Sequence, residues 1–268
     1  MKKTSIQLYN ELKVIVKSLW KLLRLNKLEK TKGRKLALSI IETISLALFK
    51  QLNGIPTKKA IFNIFRPDCS YKTLVVNINR FAKWAVLILV SLLKINCRQA
   101  HLVKHTDSTD IPVCSNKNAK HHRTMKTLSG WGHNGKGWFY GVKLHITADL
   151  QRRLLAIRFT SGNIHDSQVF MKLNKDLNGI FVGDAAYLSE ELAKEFYQEG
   201  KRMLFAKPRK NMNKLITAFQ FYLYKTRTII ELNFRNLKAF HNLITSLPRS
   251  VNGYLANYIY SLLSYLIA

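Results

Sequence analysis

Acidic residues are scarce in this chain. Only 15 Asp and Glu stand against 44 Lys and Arg in 268 residues, a formal net charge of +29. An excess of that size argues against an ordinary metabolic enzyme and for a polyanionic partner, nucleic acid first and an anionic membrane second. Cysteine is nearly as sparse. Cys69, Cys97 and Cys114 are too few and too scattered for a disulfide framework or a zinc ribbon, which fits a reducing cytoplasm. Long apolar runs are also missing. The longest, Trp84–Leu93, is broken by Ser91 and closed by Lys94. It has about half the length a bilayer needs and predicts a buried helix, not a membrane span. The first residues, MKKTSIQLYNELK, have neither the apolar stretch nor the small-residue cleavage site of a signal peptide, so no export is expected. What the chain does have is 47% apolar residues, enough for a packed core in one large domain or two modest ones.

The pattern changes near residue 99, which predicts two domains, 1–98 and 99–268. Residues 1–100 carry 20 basic and 4 acidic residues, and 101–268 carry 24 and 11, so no basic tail accounts for the charge. The first part reads as helices over Ser5–Leu25, Lys35–Lys50, Lys58–Phe65 and Tyr71–Lys94, with apolar residues three and four apart. Breaks fall at Lys32-Gly33, at Asn53-Gly54-Ile55-Pro56 and at Arg66-Pro67-Asp68. Two short helices before a longer one admit two readings, a helix-turn-helix that reads DNA and a plain bundle with a solvated basic surface. This part is expected to bind DNA. The second part reads as strands over His101–Thr106, Trp138–Thr147, Leu154–Thr160, Ile180–Gly183 and Met203–Ala206, with helices over Asp166–Leu173, Ser189–Glu199 and Thr217–Phe240. Three strands in succession, then alternating helix and strand, predict a mixed sheet covered by helices.

Gly130-Trp-Gly132-His-Asn-Gly135 matches the dinucleotide fingerprint literally, but a polar stretch precedes it and a strand pattern follows, the reverse of what that motif needs. It reads as a glycine-rich loop leading into a strand. Trp131 and Trp138 flank this turn, either to stack on bases or to close a hairpin over the core.

In so basic a chain, an acid at a strand end needs a reason. Asp107 follows HLVKHT, Asp184 follows IFVG, and Glu231 is the only acid among residues 200–268. Singly, each has an ordinary explanation: an aspartate at a strand end is usually a cap, and Glu231 has Arg227 and Arg235 four residues away on a helix. Together, three converging carboxylates repel unless a divalent cation neutralises them. Mg²⁺ takes such oxygen ligands, and a pair of ions suits in-line phosphoryl displacement. Asp110 is the alternative to Asp107, but strand alternation keeps Val103, His105 and Asp107 on one face.

Four segments resemble the DDE transposases of bacterial insertion sequences: His105-Thr-Asp107-Ser-Thr, Ser161-Gly-Asn-Ile-His165-Asp166-Ser, Gly183-Asp184-Ala-Ala-Tyr187, and Tyr224-x2-Arg227-x3-Glu231-x6-Lys238. The last matches the tyrosine–arginine–glutamate–lysine signature of one branch in full, and offsets of 3, 4 and 7 would place its residues on one helical face. Ala186 stands where the family often has glycine. The resemblance implies a ribonuclease-H-like α/β domain, with a mixed five-stranded sheet flanked by helices, behind a helical N-terminal domain. It implies Asp107, Asp184 and Glu231 as catalytic metal ligands for two Mg²⁺ ions, with Mn²⁺ as a substitute. Tyr224, Arg227 and Lys238, together with Trp131 and His165, would contact DNA or its phosphates, and a capping role is the alternative for His165. It further implies cleavage of double-stranded DNA at terminal inverted repeats and joining to target DNA. A homodimer assembled on DNA and a place on the bacterial nucleoid in the cytoplasm, away from membranes, follow from the same resemblance. The alternatives are a metal-dependent nuclease of the same fold and a catalytically inactive DNA-binding copy.

Overall fold

The computed structural model describes residues 4–29, 35–198, 200, 202–208, 212 and 215–268. The Lys32-Gly33 break lies outside the described residues. The chain forms two compact units, 1–92 together with 236–268, and 93–235. The expected division at 98/99 placed the C-terminal segment with the second domain; here residues 236–268 pack with the helical unit.

The helical unit contains α1 (Ser5–Leu22), α2 (Ile40–Leu52), α3 (Lys58–Phe65) and most of α4 (Tyr71–Arg98), and α9 (Val251–Ile267) closes it. Hydroxyl residues set the helix starts. Thr4 pairs with Gln7, and Ser39 pairs with Glu42, in reciprocal capping boxes. Ser39 explains why α2 begins at Ile40 and not at the expected Lys35. Helix α9 has no counterpart among the expected elements. It is tied down from within this unit: Gln51 donates to the Asn257 carbonyl at 3.1 Å, and the Tyr260 hydroxyl donates to the Ile78 carbonyl at 3.1 Å. By length and composition α4 is apolar enough to cross a membrane. Leu74, Ile78, Phe81, Ala85, Ile88 and Leu89 are nevertheless buried at helical spacing, as in a core helix.

The second unit is built on a mixed sheet of β1 (Val103–Pro112), β2 (Gly130–Asn134), β3 (Gly137–Asp149), β4 (Leu154–Ser161), β5 (Gly179–Gly183) and β6 (Arg202–Ala206). Strand β3 pairs antiparallel with β1, β2 and β4, while β5 lies parallel between β1 and β6. The sheet therefore has six strands where five were expected. The sixth is β2, the stretch read as a glycine-rich loop, which makes a hairpin with the start of β3. Glycine allows this: a Cβ on Gly132 would come within 2.5 Å of both the Gly162 carbonyl and the Phe139 ring.

Alternation along the strands distributes residues to two helical layers. Phe181 joins Phe170 of α5 (Asp166–Asn174) and Phe196 of α6 (Glu190–Gln198) in one core cluster. Its neighbour Val182 joins Val103 and Leu223 of α7 (Ala218–Lys225) in another. Helix α8 (Thr228–Phe240) follows α7 after a break, so the single helix expected over Thr217–Phe240 is two. The ladder tightens there to three-residue spacing, with Arg227 N bonded to Tyr224 O and Ile230 N to Arg227 O, and Thr226 turns its hydroxyl onto the Leu223 carbonyl at 2.7 Å.

Candidate active site

The central parallel strands bring the two aspartates together. His105 on β1 lies opposite Val182 on β5. Two residues further along from each stand Asp107 and Asp184. Asp107 sits inside β1, not at its end, because β1 continues to Pro112. Asp184 does follow its strand directly, and it caps a short helical turn over Ala185–Tyr187 by accepting from the Ala186 amide at 2.8 Å. Ala186 has negative φ, so the departure from glycine carries no backbone strain.

Alternation along β1 has the effect expected of it. Val103 packs toward α7, the His105 imidazole meets the Thr226 hydroxyl at 2.8 Å, and Asp107 faces Arg227. The intervening residues turn the other way: Thr106 bonds Thr147, and Ser108 donates to Asp166 at the start of α5 at 2.8 Å.

The three predicted carboxylates converge on one guanidinium. Arg227 lies 3.4 Å from Asp107 Oδ2, 3.9 Å from Asp184 Oδ2 and 3.1 Å from Glu231 Oε1. Glu231 is in the first turn of α8, not mid-helix, and its side chain is 58% exposed; that end of a helix favours a negative charge. Among the described residues, no three His, Cys, Asp or Glu side chains lie close enough together to hold a metal ion. The carboxylates are thus gathered around one positive charge without meeting at a single point.

Two observations fit the residues to a divalent cation. The donor set is all carboxylate oxygen, the hard ligands that Mg²⁺ prefers. The Tyr187 hydroxyl, buried beside Asp107, Asp166 and Asp184, has no hydrogen-bond partner among the described residues. Its ring is fixed by Gly183, where a Cβ would come within 2.8 Å of it. An unsatisfied buried hydroxyl costs about 1–3 kcal/mol. Tyr187→Phe should therefore raise stability in EDTA by about 1 kcal/mol, read as a higher urea midpoint at unchanged slope; a lower midpoint would show that the hydroxyl is already satisfied.

Burial pushes the Asp107 carboxyl up to about 7; Arg227 pulls it down, while Asp184 and Asp166 push it further up. A carboxyl whose folded pKa is raised contributes stability below its unfolded value, and this contribution is lost as pH rises through 7. In EDTA, the wild type should lose on the order of 4 kcal/mol relative to Asp107→Asn between pH 4 and pH 8, since the shift spans about three pKa units and each is worth about 1.4 kcal/mol. Parallel stability curves for the two proteins would refute the shift.

Asp166, part of the resembling segment that opens α5, belongs to a second polar group on the opposite face of β1, whose other members, Lys143 and His145, sequence reasoning missed. Asp166 accepts from Ser108, pairs with Lys143 at 3.1 Å and lies 3.9 Å from His145. Burial lowers the His145 pKa to about 4, against the pull of Asp166, so this imidazole is neutral at pH 7. Alternation on β3, Lys143 then His145, was the available signal.

The remaining candidates are dispersed. Tyr224 donates to the Ala206 carbonyl at 2.9 Å and so fastens α7 to the end of β6. It therefore shares neither a helix nor a face with Glu231. Lys238 is half-buried on α8, beyond Glu231. His165 is the N-cap of α5, and its Nδ1 accepts from Ser167, in keeping with the capping alternative. Trp131 lies exposed on β2 against the edge of Tyr140, and Trp138 is exposed beside His133, so neither closes the hairpin over the core. Asp110 stands three residues beyond Asp107 on β1, out of step with its face.

A family model described as a transposase DDE domain matches residues 98–251, more than half of the chain. Among curated proteins no relative matches its sequence. Among solved structures, the chain is similar to the piggyBac transposase in its synaptic complex with hairpin DNA, with a TM-score of 0.52 at 9% identity. That match covers 94% of this chain and 69% of the other. At such low identity the likeness speaks for the fold, a helical N-terminal part and a ribonuclease-H-like sheet flanked by helices. The family match covers both aspartates, the glutamate and the arginine between them, and the chain belongs to the DDE transposase family.

Proposed function

We propose that the chain is the transposase of a bacterial insertion sequence, which cuts double-stranded DNA at the element's terminal inverted repeats and joins the freed 3′-hydroxyl to target DNA. The observation that carries this reading is the convergence of Asp107, Asp184 and Glu231, from three distant segments, on Arg227. Asp107, Asp184 and Glu231 would hold two Mg²⁺ ions, or Mn²⁺ in their place. When bound, the metal supplies Lewis-acid activation of the attacking oxygen and stabilisation of the leaving oxygen. Arg227 then exchanges carboxylate partners for a phosphate near the scissile bond, and Lys238 grips a neighbouring phosphate. Tyr224 positions Arg227 indirectly, by anchoring α7. Trp131 offers an exposed ring for stacking on DNA, and His165 lies at the α5 start beside the Asp166 group.

The helical unit shares the positive charge and serves as a DNA-binding domain. Assembly as a homodimer on paired element ends, on cytoplasmic DNA, completes the reading. Supplying precleaved element ends with Mg²⁺ and a target plasmid tests it. Strand-joined product is expected; hydrolysis without joining would mean a nuclease of the same fold, and neither product would mean a DNA-binding copy without catalysis.

A further inference from the structure

A cavity lies wholly within the helical unit. Its volume is about 440 Å³, and Lys50, Lys58, Lys59 and Arg249 line it together with Tyr71, Val75 and Pro248. Among the described residues, no Asp or Glu lines it. Lys50 is only 7% exposed. Its ammonium donates to the Gln51 side-chain oxygen at 3.1 Å, and that of Lys58 donates to Asn79 at 2.6 Å. Both acceptors are neutral amides, and neither lysine makes an ion pair among the described residues.

Burying the Lys50 ammonium, with the half-buried Lys58 on the same cavity, without a counter-charge is costly. Burial, and for Lys50 also the charge of Lys58, pulls both lysines down to about 8. Core helices reach the same packing with apolar residues at no such cost. An arrangement that retains the two charges at the wall of an open cavity is therefore suited to an anion that enters it. Ser250 caps α9 at the same cavity, and no acid occupies the first turn of that helix, which favours the same sign of ligand. Phosphate alone is too small for the space. The volume falls within the roughly 300–1,000 Å³ of small-molecule sites, and the ring of Tyr71 with Val75 and Pro248 gives it an apolar wall.

We propose that this cavity binds a nucleoside monophosphate unit, free or at the 5′ end of a DNA strand, with the phosphate on Lys50, Lys58 and Arg249 and the nucleoside against the apolar wall. The site shares no residue with the carboxylate cluster, so it stands or falls apart from the proposed chemistry.

Calorimetric titration of the full chain with AMP, with adenosine, and with single-stranded oligonucleotides bearing a 5′-phosphate or a 5′-hydroxyl tests it. Saturable binding of a phosphorylated probe is expected, with the matching probe lacking phosphate at least tenfold weaker. A preference for AMP identifies a free nucleotide as the occupant, and a preference for the phosphorylated strand identifies a DNA end. Lys58→Met and Arg249→Ala should each weaken binding about tenfold or more, while Lys17→Met, on the exposed side of α1, leaves it unchanged. Lys50→Met should melt no lower than the wild type, because it removes an uncompensated buried charge; if that variant misfolds, Lys58→Met and Arg249→Ala still decide. Equal affinity with and without phosphate, no saturable binding of either phosphorylated probe, or affinity unchanged in both Lys58→Met and Arg249→Ala would overturn the proposal.

Discussion

Asp184→Asn should abolish Mg²⁺-dependent nicking of element ends while leaving DNA affinity equal or higher. The substitution is nearly isosteric. The side-chain oxygen of the introduced asparagine can still accept from the Ala186 amide, so the turn after β5 keeps its cap. What it loses is one of the three negative charges around Arg227 and one anionic oxygen for a divalent cation. Loss of an anionic metal ligand reduces rate by several orders of magnitude, so activity should fall below detection in a gel assay. DNA affinity moves the other way, because a negative charge near the phosphates has been removed. Nicking at the wild-type rate by a folded Asp184→Asn protein would sink the assignment of the metal ligands.

Arg227→Ala should separate the structural and catalytic roles of that guanidinium. Asp107 has a side chain only 13% exposed, and Arg227 is 24% exposed. Removing the cation leaves Asp107 and Asp184 facing each other without compensation. Breaking a fully buried pair costs about 3–5 kcal/mol; with this much exposure the expected loss is smaller, about 2 kcal/mol, since solvent screens the exposed Glu231 in particular. The loss should appear as a lower urea midpoint in EDTA. Added Mg²⁺ should recover much of it, because the same carboxylates then have another cation. Strand joining should stay low even in saturating Mg²⁺, because the proposed phosphate contact is gone. Equal destabilisation with and without Mg²⁺ would mean that the carboxylates do not take up the ion.

The parts of this protein legible in its sequence are those that depend on local periodicity or on scarcity. Apolar spacing located α1 to α4, and β-branched runs located β1 and β3 to β6, within a few residues at most ends. The rarity of acids singled out Asp107, Asp184 and Glu231, because in a chain of net charge +29 an acid flanked by apolar residues is conspicuous. Alternation along β1 chose Asp107 over Asp110.

What depends on packing was not legible. Strand β2 is written in glycines that read as a loop; only its partner in β3 and the close approach of Gly162 and Phe139 make it a strand. One helical period runs through residues 217–240, and the break at Thr226 comes from hydroxyl bonds to His105 and to the Leu223 carbonyl, one of which comes from the sheet. That break moves Tyr224 onto a different helix from Glu231. The burial of the Tyr187 hydroxyl likewise leaves no one-dimensional trace, and the meeting of Asp166 with Lys143 and His145 on the far face of β1 leaves only the alternation of the last two along β3.

The sequence by itself determined which residues carry charge, where helices α1 to α4 and strands β1 and β3 to β6 fall, and the order of three carboxylates along the chain. Only the tertiary structure decided that these carboxylates gather around Arg227, since the parallel pairing of β1 with β5 and the turn between α7 and α8 rest on contacts between residues far apart in the chain. Local periodicity reports what each segment buries, but not which other segment it meets.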